Sequence, residues 1–216
     1  MIRAVIFDMD GLMVDTEPLA IEAWQTTVRR FGYQIDDVMF EQMFGVRQVE
    51  CAELLLEHFH LPIPAEALAR ERNETFLALL PGRLRAMPGL SELVAELRAR
   101  GLKRALATSG ERRYVAMVMS ELNLDGAFDA TVVAEDVTRG KPAPDVYLLA
   151  AERLGLPLAQ CLVLEDAPNG VAAAGAARMK CVAVPNQYTR VLDLSAADVV
   201  LPSLLAVCDN LDVLIR

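Results

Sequence analysis

Polar residues able to bind metals or anions follow four apolar, strand-like stretches of the sequence. They are Asp8 and Asp10 after the first stretch, Thr108 and Ser109 after the second, Lys141 in the loop after the third, and Glu165 and Asp166 at the end of the fourth. In an open parallel sheet, ligands bind beyond the carboxyl ends of the strands. We therefore expect these side chains to meet in one crevice.

The composition of this set predicts a site for a phosphoryl group. Converging carboxylates repel each other unless a cation lies among them, and oxygen ligands of this kind suit Mg²⁺. Lys141 supplies a compact positive charge and Thr108 a hydroxyl donor. The amide of Ser109, expected at the start of the following helix, adds a backbone donor where anions are favoured.

The two aspartates at the first strand end differ in expected role. An aspartate carboxylate can attack phosphorus and form an acyl phosphate once the repulsion between two anions is neutralised, which makes Asp8 the expected nucleophile. Asp10 can protonate the leaving alcohol and then deprotonate the water that hydrolyses the intermediate. Gly11 allows the chain to turn sharply after them.

The elements that must position these residues alternate between strand-like runs and helix-period segments, which is typical of a doubly wound α/β fold with a parallel sheet. The predicted strands cover residues 4–8, 104–108, 130–134, 161–165, 180–184 and 198–201. A helix is predicted over residues 88–100, where apolar residues recur at helical spacing before Gly101.

The stretch between the first two strands is much longer than the roughly 10 to 12 residues that a simple crossover needs. It has no strand pattern, which predicts an inserted helical domain. Its helices are expected from Pro18 to about Phe31, with Thr16 as a cap, and over residues 37–44, 48–59 and 65–80. We therefore predict an α/β core of residues 1–16 and 85–216, and a helical cap domain of residues 17–84.

Four ordered motifs resemble those of the haloacid dehalogenase superfamily of aspartate-nucleophile phosphatases. DMDG resembles the first signature, ALATSG (105–110) the second, GKPAPDVY (140–147) the lysine motif, and LEDAPNG (164–170) the acidic metal motif. The resemblance extends over essentially the whole chain. It implies a Rossmann-like core, a phosphatase activity with an aspartyl-phosphate intermediate, and dependence on Mg²⁺.

The resemblance also implies individual roles for the motif residues. Asp8 is the nucleophile, Asp10 the acid/base, and Thr108 and Lys141 bind the phosphate. The resemblance further implies that Asp8, Asp166 and the backbone carbonyl of Asp10 would hold the metal. Around them, Glu165 resembles an outer carboxylate and Asn169 a residue that orients its loop. The cap is expected to close over the substrate and exclude water.

Within the superfamily, the helical insertion resembles the cap of beta-phosphoglucomutase and sugar-phosphate phosphatases. In the mutase a histidine stands at the position of Ala20, so its loss favours a phosphatase over a mutase. The run DTEP resembles sugar-phosphate phosphatases and adds Glu17 to the candidate substrate contacts. Arg47 and Arg72 resemble basic substrate-contacting positions. The expected substrate is a small phosphorylated metabolite, either a sugar or a polyol phosphate.

Three alternatives remain open at this point. The first is a beta-phosphoglucomutase-type phosphosugar mutase. The second is a phosphorylation-receiver signalling domain, which also combines acidic residues, Thr or Ser, and Lys around Mg²⁺, although receivers carry an adjacent acidic pair at the first strand. The third is a dehalogenase, a chemistry that gives Asp10 no leaving alcohol to protonate.

The net charge of -9 argues against a nucleic-acid-binding protein, because such affinity depends mainly on Lys and Arg. No uncharged run approaches the roughly 18 residues of a membrane-spanning helix, and the start of the sequence lacks the apolar core of a secretory signal. We therefore expect a cytoplasmic protein with neither a nucleic-acid nor a membrane partner. Its expected partner is a small phosphorylated metabolite, and we expect the chain to act as a monomer.

Overall fold

The computed structural model of the protein describes residues 1–44 and 46–216. These residues form two compact units. One contains Met1–Asp15 and Arg85–Arg216, and the other contains Thr16–Leu84.

The unit Thr16–Leu84 is helical throughout its described elements, and it has a small apolar core of its own. Its helices are α1 (Glu17–Arg29), α2 (Asp37–Met43), α3 (Gln48–Phe59) and α4 (Ala65–Leu79). α4 packs against α1 and α3, and Trp24, Val28, Leu55 and Leu68 are buried among these helices. Pro18 lies in the first turn of α1, where its missing N–H costs no helical hydrogen bond.

The other unit is built on a six-stranded sheet in which every neighbouring pair is parallel. Its strands are β1 (Ala4–Phe7), β2 (Lys103–Ala107), β3 (Ala130–Val132), β4 (Cys161–Glu165), β5 (Lys180–Ala183) and β6 (Val199–Val200). Its α-helices are α5 (Leu90–Ala99), α6 (Arg112–Glu121), α7 (Asp145–Leu154), α8 (Pro168–Ala176), α9 (Leu204–Asp209) and α10 (Leu211–Leu214), and 3-10 turns occupy Ala134–Asp136, Leu158–Gln160 and Thr189–Val191.

The central strands are buried on both faces, which explains why their sequences are continuous apolar runs rather than alternating ones. Ala4 and Ile6 of β1 belong to a cluster that includes side chains of α7 and α8. Val5 and Phe7 point to the opposite face and are equally buried.

The strand order β3-β2-β1-β4-β5-β6 places the switch in winding direction at β1. β1 pairs with β2 on one side and with β4 on the other, so the carboxyl ends of these three strands lie together. Such a switch point is where ligands bind in doubly wound folds. The predicted fold class is therefore confirmed, and the sheet brings the first, second and fourth motifs to one edge.

The strand boundaries differ slightly from the sequence predictions. β1 ends at Phe7 and β2 at Ala107, one residue earlier than predicted, so Asp8 and Thr108 lie just outside their strands. Glu165 is the last residue of β4. The amides of Asp8 and Thr108 still donate to the neighbouring strands, at the carbonyls of Leu164 and Val132, so the sequence pattern alone could not separate these residues from the strands.

Across the described parts of the chain, every helix is too short or too polar to span a bilayer.

Candidate active site

Asp8 lies at the carboxyl end of the central strand and is 8% exposed. Its amide donates to the Leu164 carbonyl at 3.0 Å, which continues the pairing of β1 with β4 by one residue. The chain then turns back through a hydrogen bond of 2.9 Å from the Gly11 amide to the Val14 carbonyl. Asp8 is therefore held by the sheet itself, and Asp10 by the turn that follows.

Gly11 is needed at this turn for two physical reasons. Its φ of +77° lies in the left-handed region that side chains disfavour, and an added Cβ would lie 2.3 Å from Oδ2 of Asp166. The turn can pass close to Asp166 only because Gly11 has no side chain.

Lys141 joins two of the carboxylates. Its Nζ lies 2.5 Å from Oδ1 of Asp8 and 2.5 Å from Oε1 of Glu165. The same Nζ is 4.9 Å from the centre of the Tyr147 ring, and the Tyr147 hydroxyl donates to Oε1 of Glu165. These side chains form one buried network in which a single ammonium group compensates two carboxylates.

The electrostatics of this network follow from its burial. Burial, with the nearby charge of Glu165, raises the pKa of Asp8 from 3.8 to about 7, while Lys141 opposes that rise. Burial also disfavours the charged form of Lys141, but the charges of Asp8 and Glu165 outweigh it and raise the pKa of the amine. Lys141 therefore stays cationic, and Asp8 needs additional positive charge nearby to be fully ionised at neutral pH.

Asp8, Glu165 and Asp166 offer carboxylate oxygens that lie within 4.8 Å of one another, and all three residues are buried. Asp166 accepts a hydrogen bond of 2.9 Å from Nδ2 of Asn186, which also donates to the Gly11 carbonyl at 3.2 Å. A buried set of oxygen donors with this excess of negative charge fits a hard divalent cation. Such a cation would supply the positive charge that Lys141 alone does not.

Thr108, Ser109 and Lys141 line one small cavity of about 170 Å³. Thr108 is buried, and its Oγ1 accepts a hydrogen bond of 3.0 Å from the Gly110 amide. Because this bond uses the oxygen as an acceptor, the hydroxyl hydrogen can donate to an anion. The cavity therefore brings a hydroxyl donor and an ammonium group together, and the same ammonium group pairs with Asp8.

The prediction for Ser109 is wrong in one respect. Ser109 is exposed and does not begin the next helix, since α6 starts at Arg112 with Glu111 at its N-cap. Its amide therefore lies in a loop, away from the helix N-terminus that was expected to favour an anion. The cause is the turn through Gly110, which separates the strand end from the helix.

Two further predicted site residues, Asp10 and Asn169, are partly buried. Asp10 is half-buried, and its Oδ1 accepts a hydrogen bond from the Tyr114 hydroxyl. Asn169 is half-buried in the first turn of α8.

The predicted substrate contacts belong to the helical unit. Glu17 opens α1. Arg47 is exposed and forms an ion pair with Glu50. The guanidinium of Arg72 is buried over the rings of Trp24 and Phe76, at 5.5 and 4.6 Å from their centres. These contacts give Arg72 a packing role within the unit, whatever further role it has.

Three residues of the site were missed by reasoning from the sequence: Tyr114, Tyr147 and Asn186. Tyr147 had a usable signal, because it ends the lysine motif six positions after Lys141. Tyr114 and Asn186 lie outside all four motifs, and only the tertiary structure brings them to Asp10 and Asp166.

Comparison with known proteins agrees with this architecture. Residues 2–178 match the model of the haloacid dehalogenase-like hydrolase family. The chain is 36% identical over 180 residues to fructose-1-phosphate phosphatase YqaB of Escherichia coli, covering 83% of this chain and 95% of that protein. The chain belongs to the haloacid dehalogenase-like hydrolase family.

Comparison with solved structures also places the chain among proteins of this fold. The crystal structure of CbbY from Rhodobacter sphaeroides in complex with phosphate has a TM-score of 0.82 and 28% identity, covering 96% of each chain. That of beta-phosphoglucomutase from Clostridium difficile has a TM-score of 0.76 and 26% identity, covering 94% of this chain and 92% of that one. The chain is thus an enzyme, a hydrolase of phosphoric monoesters, and the alternative of a receiver domain is set aside.

Proposed function

We propose that the protein is a Mg²⁺-dependent phosphatase that hydrolyses a small phosphorylated sugar or polyol through an aspartyl-phosphate on Asp8. The observation that carries this proposal is the ammonium of Lys141, 2.5 Å from Asp8 and in the same cavity as Thr108. A buried carboxylate beside a fixed cation and a hydroxyl donor is suited to attack on an anionic phosphoryl group.

In the first half of the reaction, a carboxylate oxygen of Asp8 forms a bond to phosphorus and the bond from phosphorus to the ester oxygen breaks. Asp10 gives its proton to the departing oxygen, so that an alcohol leaves rather than an alkoxide. Lys141 and Thr108 hold the phosphoryl oxygens throughout this step. The positive charge of Lys141 and the hydrogen bond from Thr108 stabilise the negative charge that develops on the phosphoryl group in the transition state.

In the second half, water attacks the phosphorus of the aspartyl-phosphate and the bond from phosphorus to Asp8 breaks. Asp10, now a carboxylate, takes a proton from that water. Inorganic phosphate leaves, and both aspartates return to their starting states. The two roles of Asp10 balance, because the proton it gives in one half is recovered in the other.

The donor set that we propose for Mg²⁺ is Asp8, Asp166 and the backbone carbonyl of Asp10, with Glu165 outside it because Lys141 and Tyr147 already engage its carboxylate. When bound, the ion supplies positive charge that neutralises the repulsion between these carboxylates and the phosphate.

The substrate class is supported by relatives rather than by the site. Fructose-1-phosphate phosphatase is among them, and the sequence motif DTEP points the same way. We propose that Glu17, Arg47 and Arg72 of the helical unit contribute to substrate selection. The likeness to beta-phosphoglucomutase favours a second candidate, a phosphosugar mutase, against which Ala20 stands in place of the mutase histidine.

The decisive test of the chemistry replaces Asp8 by Asn, which preserves its shape but removes the nucleophile. We expect phosphate release from sugar phosphates to fall by at least about a thousandfold, since covalent catalysis is lost. Asp125→Asn is the matched control, because Asp125 is exposed and outside the site. Near-normal turnover by Asp8→Asn would refute the mechanism.

The substrate is tested by measuring phosphate release across sugar, polyol and nucleoside monophosphates. We expect preference for a sugar or polyol phosphate. Beta-glucose 1-phosphate is included as a test of the second candidate, because a mutase would convert it to glucose 6-phosphate without net release of phosphate.

A further inference from the structure

Tyr114 is a buried tyrosine of the core unit whose hydroxyl donates a hydrogen bond to Oδ1 of Asp10. It lies in the first turn of α6, the helix that follows β2 and the Thr108 loop. The contact joins residues 104 positions apart in the sequence. A tyrosine hydroxyl in a buried setting generally has a hydrogen-bond partner, but here that partner is the expected acid/base.

The ring of Tyr114 lies beside the backbone of Gly110, in the loop that follows Thr108. A Cβ added to Gly110 would lie 2.9 Å from Cδ1 of Tyr114 and 3.3 Å from Oγ1 of Thr108. The ring therefore passes beside the backbone of Gly110, close to the hydroxyl that lines the phosphate cavity. The hydroxyl at the end of this ring contacts Asp10.

An acid/base must lie within hydrogen-bond reach of the atom it protonates, and small misplacements are costly. Asp10 lies beyond the end of β1 and immediately before the turn at Gly11, so the sheet does not itself hold its carboxyl group. A hydrogen bond to Oδ1 restricts rotation of that group.

We propose that Tyr114 is a positioning residue that holds Asp10 in the orientation from which it protonates the leaving oxygen. This inference rests on the proposed function. The step itself is unchanged: the bond from phosphorus to the ester oxygen breaks, the proton of Asp10 goes to that oxygen, and Tyr114 keeps its own proton.

The leaving group distinguishes positioning from a purely structural role. An alkyl phosphate releases a strongly basic alkoxide and needs the proton, whereas p-nitrophenyl phosphate releases a stable phenolate and needs it little. Damage to folding or to phosphate binding would reduce turnover of both substrates alike. Misplacement of Asp10 reduces turnover of the alkyl phosphate selectively.

The experiment measures kcat/KM of Tyr114→Phe for an alkyl sugar phosphate turned over by the wild type and for p-nitrophenyl phosphate. This parameter reports the steps up to loss of the leaving group. We expect a fall of about tenfold or more for the sugar phosphate, the size of one hydrogen bond to a charged group, and less than about twofold for the aryl phosphate. Tyr33→Phe is the matched control, because it removes an exposed hydroxyl in the other unit.

A second measurement tests whether Tyr114 acts through Asp10. In an Asp10→Asn background, single-turnover release of nitrophenol should be the same with and without Tyr114→Phe, because the group being positioned is gone. A further loss caused by Tyr114→Phe in that background would overturn the proposal.

Equal losses on the two substrates, no loss on either, or failure of Tyr114→Phe to fold would each assign the hydroxyl to structure and overturn the proposal. These outcomes are separate from failure of the proposed function. That failure would appear in the wild type, as absence of phosphate release from both substrates, or as full activity of Asp8→Asn.

Discussion

Lys141 is the residue on which the charge balance of the site depends. One ammonium group lies 2.5 Å from each of two carboxylates, and its side chain is only 8% exposed. Breaking a buried ion pair by removing one partner is costly, because the remaining charge is left buried without compensation. The lysine therefore has a structural role beside the catalytic role proposed for it.

Replacing Lys141 by Met should destabilise the protein by about 3 to 5 kcal/mol near neutral pH, as measured by urea unfolding. The pKa of Asp8 is already raised to about 7 in the folded state, and Lys141 is one of the groups that lower it. Without the lysine this pKa rises further, so the folded state binds protons more tightly than the unfolded chain. Stability is then regained as the pH falls and lost as it rises.

We therefore expect the loss of unfolding free energy caused by Lys141→Met to be larger at a pH of about 9 than at about 7, because Asp8 ionises in the wild type over this range and stays protonated in the variant. Lys180→Met is the matched control, since the amine of Lys180 donates to the Leu214 carbonyl at 3.0 Å and pairs with no carboxylate of the site. If Lys141→Met lowered the free energy of unfolding by the same amount at both pH values, the explanation by charge balance would be contradicted.

At the scale of elements, the 3-10 turn Ala134–Asp136 forms ion pairs with both helices that contain the tyrosines of the site. Asp136 of this turn contacts Arg112 of α6 at 2.6 Å and Arg153 of α7 at 2.9 Å. α6 contains Tyr114, and α7 contains Tyr147. The Asp136 carboxylate therefore links α6 and α7, the two helices whose tyrosine hydroxyls donate to Asp10 and Glu165.

The hydrogen bond from Arg153, with those from the Val133 amide and Arg112, lowers the pKa of Asp136 from 3.8 to about 2 against an opposing effect of burial. A carboxyl group with a lowered folded-state pKa stabilises the protein above its unfolded pKa, and this stability is lost as the pH falls through the folded value. Asp136→Asn should therefore lower the free energy of unfolding by about 1 to 2 kcal/mol near neutral pH, allowing for solvent screening.

The difference between wild type and Asp136→Asn should disappear as the pH is lowered from about 4 to about 2 in denaturant unfolding experiments. Asp125→Asn, at an exposed position, should change stability little near neutral pH. A deficit of Asp136→Asn that persists unchanged at the acid end would show that the carboxylate charge is not its cause.

The whole molecule carries a net charge of -9, yet the proposed substrate is an anion. The positive charge must therefore be local, and in the described residues of the site it comes from Lys141 next to an excess of buried carboxylates. We expect this excess to give the folded protein an affinity for a divalent cation that the unfolded chain lacks, which would couple metal binding to folding.

Adding Mg²⁺ should raise the thermal midpoint of the whole protein, with a stabilisation of about 2.7 kcal/mol when the free ion is at 100 times its Kd. Chelation should abolish phosphate release. The Asp166→Asn variant should lose most of the thermal shift, and NaCl at matched ionic strength serves as the control for screening. An equal shift in Asp166→Asn and wild type would place the ion elsewhere.

Much of the architecture was predictable because it is encoded locally. The apolar runs followed by Asp8, Thr108 and Glu165 predicted a parallel α/β sheet, and sequence reasoning put the six strands within about two residues of their observed bounds. The exact ends could not be predicted, because they depend on how far the pairing with the neighbouring strands continues. The position of Ser109 was misjudged for a related reason, since the turn at Gly110 delays the helix.

The sequence by itself determined the fold class, the family motifs and the chemical types gathered at the strand ends, because these depend on periodicity and short-range spacing. Only the tertiary structure decided which side chains meet. Tyr114 reaches Asp10 across 104 positions, and Asn186 reaches Gly11 across 175. Such contacts depend on the strand order and on how helices pack on the sheet, and no local pattern of residues contains that information.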